Sequence, residues 1–286
     1  MSEVYEPICV ERILVSLDNS PHSSAALNAS ISLARQFNAE LMGIFIEDIN
    51  LLNLAEMPFR KEVSEYTAII REITTDGLTR GITVQSRGIT RSFQRLINQT
   101  DLQANFSVLR GHVTEMIEKE SQKCDLIVIG KRGTNPLSRP RIGSTAKALV
   151  QNHRKPLLLI EQDNRLGAPM ILLYENSPLG RISLETARFL LDPDEPLVIL
   201  LSEEDYESFL KERKVLNQWS SKHQIVVTIQ AYRTQAFAQF IQMIAVLKTG
   251  LIILPHQNDS PNYQAVEKYF DEITLPILLI RKIDQD

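Results

Sequence analysis

Cysteine is scarce in this chain, with two in 286 residues. Cys9 and Cys124 stand far apart, and Cys124 directly precedes an apolar run, so neither a disulfide framework nor a C-x-x-C redox or zinc spacing is available. Long hydrophobic runs are also missing: none exceeds about five residues, far short of what a membrane-crossing helix needs. The N-terminal Met1-Ser-Glu-Val-Tyr-Glu-Pro7 carries acids where a secretory signal has its apolar core, and a cytoplasmic location is expected. His22, His112, His153, His223 and His256 form no H-E-x-x-H or other metal spacing, and neither a G-x-S-x-G elbow nor a G-x-x-x-x-G-K-[ST] loop occurs. A net charge of −4 with an isoelectric point near 5.8 gives no general attraction to nucleic acid or an anionic membrane, and neither partner is expected. What remains is a globular composition, 43% hydrophobic and 23% charged, without a catalytic signature.

What the sequence does hold is concentrated in one stretch. Gly130-Lys-Arg-Gly133-Thr-Asn-Pro-Leu-Ser-Arg-Pro-Arg-Ile-Gly143-Ser144-Thr145 sits between the apolar run Leu126-Ile-Val-Ile129 and the helix-compatible run Ala146-Lys-Ala-Leu-Val150. Glycines let backbone amides approach an anion, and Ser144 and Thr145 add hydroxyls where the next helix presents its unpaired N–H groups. Over 126–160 there are seven Lys and Arg (Lys131, Arg132, Arg139, Arg141, Lys147, Arg154, Lys155) and no acid. A phosphorylated small molecule is the ligand this pattern implies, with Lys131, Arg132, Arg139 and Arg141 as candidate phosphate contacts; a solvated basic loop is the alternative.

Length predicts two domains. Strands are expected at 12–17, 41–46, 106–109, 126–129 and 156–160, with helices at 22–37, 111–122 and after Gly143. Such alternation predicts a parallel sheet with right-handed crossovers. Over 47–104 the apolar residues Val63, Tyr66, Ile70, Ile73, Ile82, Ile89, Phe93 and Leu96 fall three, four or seven apart, which reads as one long or broken helix, with a short strand at Ile82-Thr-Val84 as the rival. The polar stretch 161–169 reads as a linker. After it the pattern repeats: Glu175-Asn-Ser-Pro178 behind Met170-Ile-Leu-Leu-Tyr174 echoes Asp18-Asn-Ser-Pro21 behind Ile13-Leu-Val-Ser-Leu17, and Leu275-Pro-Ile-Leu-Leu-Ile280 echoes Lys155-Pro-Leu-Leu-Leu-Ile160.

The spacing Gly130-x2-Gly133-x9-Gly143-Ser144-Thr145, together with Ile13-Leu-Val-Ser-Leu-Asp18 upstream, resembles the ATP-binding signature of the universal stress protein family. The resemblance covers the chain as a tandem of two α/β flavodoxin-like (adenine nucleotide α-hydrolase-like) domains, 1–162 and 168–286, each a five-stranded parallel sheet with helices on both faces. It implies that Ser16, Leu17 and Asp18 face an adenine against which Ile46 packs. Ile129 and Gly130 then lie near the ribose, and Arg132, Gly133, Gly143, Ser144 and Thr145 hold the phosphates. The implied ligand is ATP, with or without Mg2+, and the implied role is an ATP-binding stress-response or regulatory protein. A slow ATP hydrolase or nucleotidyl-transfer enzyme, and an adaptor whose site is empty, are the alternatives.

The motif does not survive in the second half. Pro255 stands where Gly130 stands and removes an amide donor, the later glycines are missing, and 251–280 carries four acids against one Lys. One nucleotide per chain is expected. The closing strands are apolar and edge-placed in this topology, and an open edge of that kind invites aggregation. The resemblance, to a family whose members pair such strands between subunits, implies that they pair the two halves as an intrachain pseudo-dimer, with a homodimer of the chain as the further assembly left open.

Overall fold

The computed structural model describes residues 5–55, 61–63, 70–72, 75–133, 142–233, 237–244, 246–247, 249–257, 263–264 and 267–281. In the first half the order is β1 (Arg12–Leu17), α1 (Pro21–Phe37), β2 (Glu40–Asp48), α2 (Ile49–Ala55), β3 (Lys61–Val63), β4 (Ile70–Glu72), α3 (Thr75–Ile97), β5 (Ala104–Gly111), α4 (Val113–Ser121), β6 (Leu126–Gly130), α5 (Ser144–Asn152) and β7 (Leu157–Ile160). The second half gives β8 (Arg165–Tyr174), α6 (Pro178–Leu190), β9 (Leu197–Ser202), α7 (Tyr206–His223), β10 (Val227–Tyr232), α8 (Phe237–Ile244), β11 (Thr249–Pro255) and β12 (Ile277–Ile280). Among the described residues no helix is long and apolar enough to cross a membrane.

The local chemistry of the two halves matches at the turn after the first strand. Ser20 caps α1 by accepting the Ser23 amide at 3.1 Å with Pro21 in the first turn, and Ser177 caps α6 by accepting the Gly180 amide at 3.0 Å with Pro178 in the same place. α1 ends on Asn38 in the left-handed region (φ 54°), and α7 ends likewise on Gln224 (φ 54°).

Ten strands form one sheet in the order β10-β9-β8-β11-β12-β7-β6-β1-β2-β5. Within each half of this sheet every pairing is parallel. The halves are therefore two flavodoxin-like units with the same strand order, in which the order of adding strands reverses between the first and fourth, themselves parallel. One face carries α1, α3, α6 and α7, and the other α4, α5 and α8. Each face has an apolar layer that runs through both halves: Val15, Leu158, Leu172 and Ile253 belong to one, Leu14, Leu157, Ile171 and Leu279 to the other.

The stretch 47–104 departs from the one long or broken helix expected. β2 continues through Asp48, α2 and the β3–β4 hairpin follow, and α3 takes only the last part. Ile82 and Val84 lie inside α3, so the alternative of a short strand fails too. Ile82, Ile89 and Phe93 are buried, with half-buried Leu78 and Leu96 on the same stripe. Gly81 and Gly88 face open space, so they cost propensity without costing packing, and burial of the stripe wins. The linker is also shorter than its composition suggests, because β8 begins at Arg165, paired with Thr249.

Where the halves meet, β7 and β12 pair antiparallel, with Leu157↔Leu279, Leu158↔Leu278 and Leu159↔Ile277 in register, all at 0–1% exposure. Phe37 of α1 stacks on Phe189 of α6 with centroids 4.9 Å apart, and the segment before β1 reaches across so that the Ile8 amide donates to Thr186 Oγ1 at 3.0 Å. His256, whose amide donates to the Ile280 carbonyl at 2.7 Å, sits edge-on to Tyr263 at 4.1 Å. Burial, and after it the Arg281 guanidinium, pulls the His256 imidazole from 6.5 down to about 4. A histidine depressed by folding is neutral in the native chain while the unfolded chain takes up a proton, so its stabilising contribution is whole above pH 6.5 and is lost as pH falls toward 4. We expect His256→Asn to lessen the fall in unfolding free energy over that window by about 1–2 kcal/mol after allowance for solvent screening. Urea titrations at both pH values measure it; equal pH dependence in parent and variant would contradict the assignment.

Candidate functional site

Three strand ends and one helix start converge at the switch point of the first half. β1 lies between β2 and β6, with Ser16 opposite Ile129 on one side and Ile44 on the other, and Ile46 is one residue beyond the Leu17↔Phe45 pair. In open α/β sheets this carboxyl-end crevice is where ligands bind. The side chains alternate across the sheet. Ile46 and Ile129 (7% and 8% exposed) belong to the α4–α5 layer, whereas Leu17 is buried in the α1 layer. Leu17 can therefore present only its backbone to a ligand on the α5 side.

Asp18 is fixed by the turn it opens. Its Oδ1 accepts the Ser20 amide at 2.9 Å and its carbonyl accepts the Ser23 hydroxyl at 2.5 Å, so Ser20, not Asp18, caps α1. Its Oδ2 lies 3.5 Å from where a Cβ on Gly133 would stand, which brings the first strand's acid to the glycine loop. Gly130 is required by contact: a Cβ there would meet His22 Cβ at 2.8 Å and the His22 carbonyl carbon at 2.9 Å, in the first turn of α1. The His22 imidazole is committed as well, its Nδ1 accepting the Gln162 amide at 2.9 Å, and burial lowers its pKa.

The two described ends of the loop are tied to each other. The Gly143 amide donates to the Lys131 carbonyl at 2.9 Å, and a Cβ on Gly143 would stand 3.6 Å from Arg132 Cα and from the Gly133 nitrogen. Gly143 is the N-cap of α5 and has no side chain to accept from the first turn, where Ser144 is exposed and Thr145 half-buried. Gly130, Gly133, Gly143, Ser144, Thr145 and Asp18 thus share one locality with the Ile46–Ile129 wall behind them.

The basic residues divide differently from the sequence expectation. Lys131 is not a phosphate contact: its side chain is 1% exposed, and its Nζ donates to the Ile273 carbonyl and lies 3.7 Å from Glu161 Oε2. Burial lowers its ammonium to about 8, with Glu161 opposing the fall. Arg132 stays half-buried beside the loop, held by Glu161 Oε1 at 2.8 Å. Arg139 and Arg141 lie outside the described residues. Glu161, read from composition as linker, is the acid that balances Lys131 and Arg132. The parallel β6–β7 register, which sets Gly130 opposite Ile160, is the signal that could have found it. Asp271, whose Oδ1 accepts the Ile142 amide at 2.6 Å from 129 positions away, had no sequence signal.

Comparison with known proteins bears on the fold and the family. The chain is 22% identical over 157 residues to a universal stress protein of Methanocaldococcus jannaschii, covering 54% of this chain and 84% of that protein. Among solved structures, a universal stress protein from Archaeoglobus fulgidus superposes with a TM-score of 0.65 at 14% identity, over 95% of this chain and 98% of that one. A protein of Pseudomonas aeruginosa described as functionally unknown gives a TM-score of 0.61 at 10% identity, over 95% and 92%. These likenesses show the fold. The Universal stress protein family matches residues 10–161, more than half of the sequence, and the chain belongs to that family.

Proposed function

We propose that this protein binds ATP in its first half and works as a nucleotide-dependent stress-response or regulatory module. The observation that carries the reading is the α5 N-terminus, capped by a glycine that closes onto residues 131–133 with Asp18 Oδ2 at the same place. Such an end has amides to offer a phosphate and no protein acceptor of its own on the cap residue. Ile46 and Ile129 supply an apolar wall for a base, and Asp18 reaches a ribose or base edge. A Mg2+ arriving with the triphosphate would take most of its oxygens from phosphate and water, with Asp18 as the protein carboxylate beside Gly133.

The reading extends to domains 1–162 and 168–286, joined through β7 and β12 as an intrachain pseudo-dimer, with one nucleotide per chain. At the position of Gly130 the second half has Pro255, each opposite the last residue of its closing strand (Ile160 and Ile280). The residue after it, His256, is packed on Tyr263, itself 3% exposed, so an aromatic pair stands where the first half has the buried Lys131.

Two outcomes test the site. Gly143 has φ −64° and ψ 153°, a conformation aspartate adopts freely, and its space is ordinary van der Waals contact. Gly143→Asp would place a carboxylate over the α5 amides. It should leave unliganded melting unchanged or slightly raised, while lowering ATP affinity at least about a hundredfold through like-charge contact. Calorimetry with the variant binding like the parent would refute the site. Calorimetry should also give one ATP per parent chain, and at a free concentration near 100 times its dissociation constant ATP should stabilise the native state by about 2.7 kcal/mol. Two equivalent sites per chain would overturn the asymmetry.

A further inference from the structure

The two described ends of the first half's glycine loop are held by the second half. The loop's entry residue Lys131 donates from Nζ to the Ile273 carbonyl, and its exit residue Ile142 donates its amide to Asp271 Oδ1 at 2.6 Å. Both partners fall within three residues just before β12, and the Gly143 amide to the Lys131 carbonyl closes the ring at 2.9 Å. The other end of α5 is held from the same side. Arg281, 4% exposed and directly after β12, donates from Nη1 to the Leu149 carbonyl at 3.1 Å and also to the His153 carbonyl, and from Nη2 to the Val150 carbonyl. The second half therefore sets a carboxylate by the positive end of α5 and a guanidinium on its negative end, the polarity that complements the helix dipole.

We infer that Asp271 is a positioning residue for the nucleotide site: it fixes the exit of the glycine loop, and hence the first turn of α5, in the geometry a phosphate needs. This rests on the proposed ATP reading. The first half by itself lacks the acceptor for Ile142, so its site is incomplete without the second. Asp271 acts through the backbone and does not itself touch ligand, so its hydrogen-bonding capacity matters more than its charge.

The test uses the full-length chain with two substitutions. Asp271→Asn keeps an oxygen acceptor for the Ile142 amide and removes the charge; Asp271→Ala removes both. ATP affinity by calorimetry should fall about tenfold in Asp271→Ala, the order of one lost charge-assisted hydrogen bond, and stay within about threefold of the parent in Asp271→Asn. Without nucleotide, hydrogen exchange of residues 142–146 should speed up in Asp271→Ala and be restored in Asp271→Asn. Parent-like affinity or parent-like exchange in Asp271→Ala would overturn the inference, as would an Asn variant as weak as the Ala variant. If the parent itself binds no ATP, the function proposed above fails, and the exchange measurement alone then decides whether Asp271 orders the loop.

Discussion

The antiparallel pairing of β7 with β12 is the constraint on which the remaining architecture depends. A five-stranded parallel unit of this order leaves its fifth strand at an edge, and here that strand is Leu157-Leu-Leu-Ile160, apolar on both faces. An open edge of that kind invites uncontrolled association. Pairing it with Ile277-Leu-Leu-Ile280 satisfies both backbones at once and merges the two apolar layers across the seam. It also decides what lies opposite what. Because the strands run antiparallel, the residues flanking β12 arrive at the loop and helix that precede β7, which is how Asp271, Ile273 and Arg281 reach Lys131, Ile142 and α5.

The seam is apolar along the strands and ionic at their ends. Burying a cation costs several kcal/mol unless its protons find acceptors. Lys131 meets the cost with the Ile273 carbonyl and Glu161, and Arg281 with three carbonyls of the α5 C-terminal region. These contacts add specificity more than gross stability. Leucine pairs alone tolerate a slipped register, whereas a shift of β12 against β7 would strip acceptors from two buried cations at once.

Much of this was legible in the sequence. The Asp-Asn-Ser-Pro and Glu-Asn-Ser-Pro turns marked both first helices, the apolar tetrapeptides marked the strands, and the spacing of Gly130, Gly133 and Gly143 marked the loop, because each depends on local backbone chemistry. Three things were not legible. The stretch before β5 carries an α3 stripe interrupted by glycines, whose role depends on facing open space and not on local propensity. Lys131 reads as one more basic loop residue until its side chain is seen to turn inward. Asp271 and Arg281 meet their partners across more than 120 positions, and no periodicity encodes such contacts.

The two halves share topology and differ in chemistry at matched positions, and the differences follow one logic. After the fourth strand stand Lys131 and His256, their amides bonded to the closing strand's last carbonyl at 2.7 Å in both cases; after the fifth stand Glu161 and Arg281. The first half therefore has cations and an acid side by side, with Glu161 paired to both Lys131 and Arg132 beside the loop. The second half has two basic groups, which repel: Arg281 is among the influences that lower His256. Arg281 finds hydrogen-bond acceptors in the other half, on the carbonyls of α5. Among the described residues His256 is neutral and Arg281 is turned to its neighbour's helix, so the second half sets its carboxylate and guanidinium against α5 of the first half. Under the proposed reading, the duplication has become a division of labour in which one half binds and the other holds the binding loop in place.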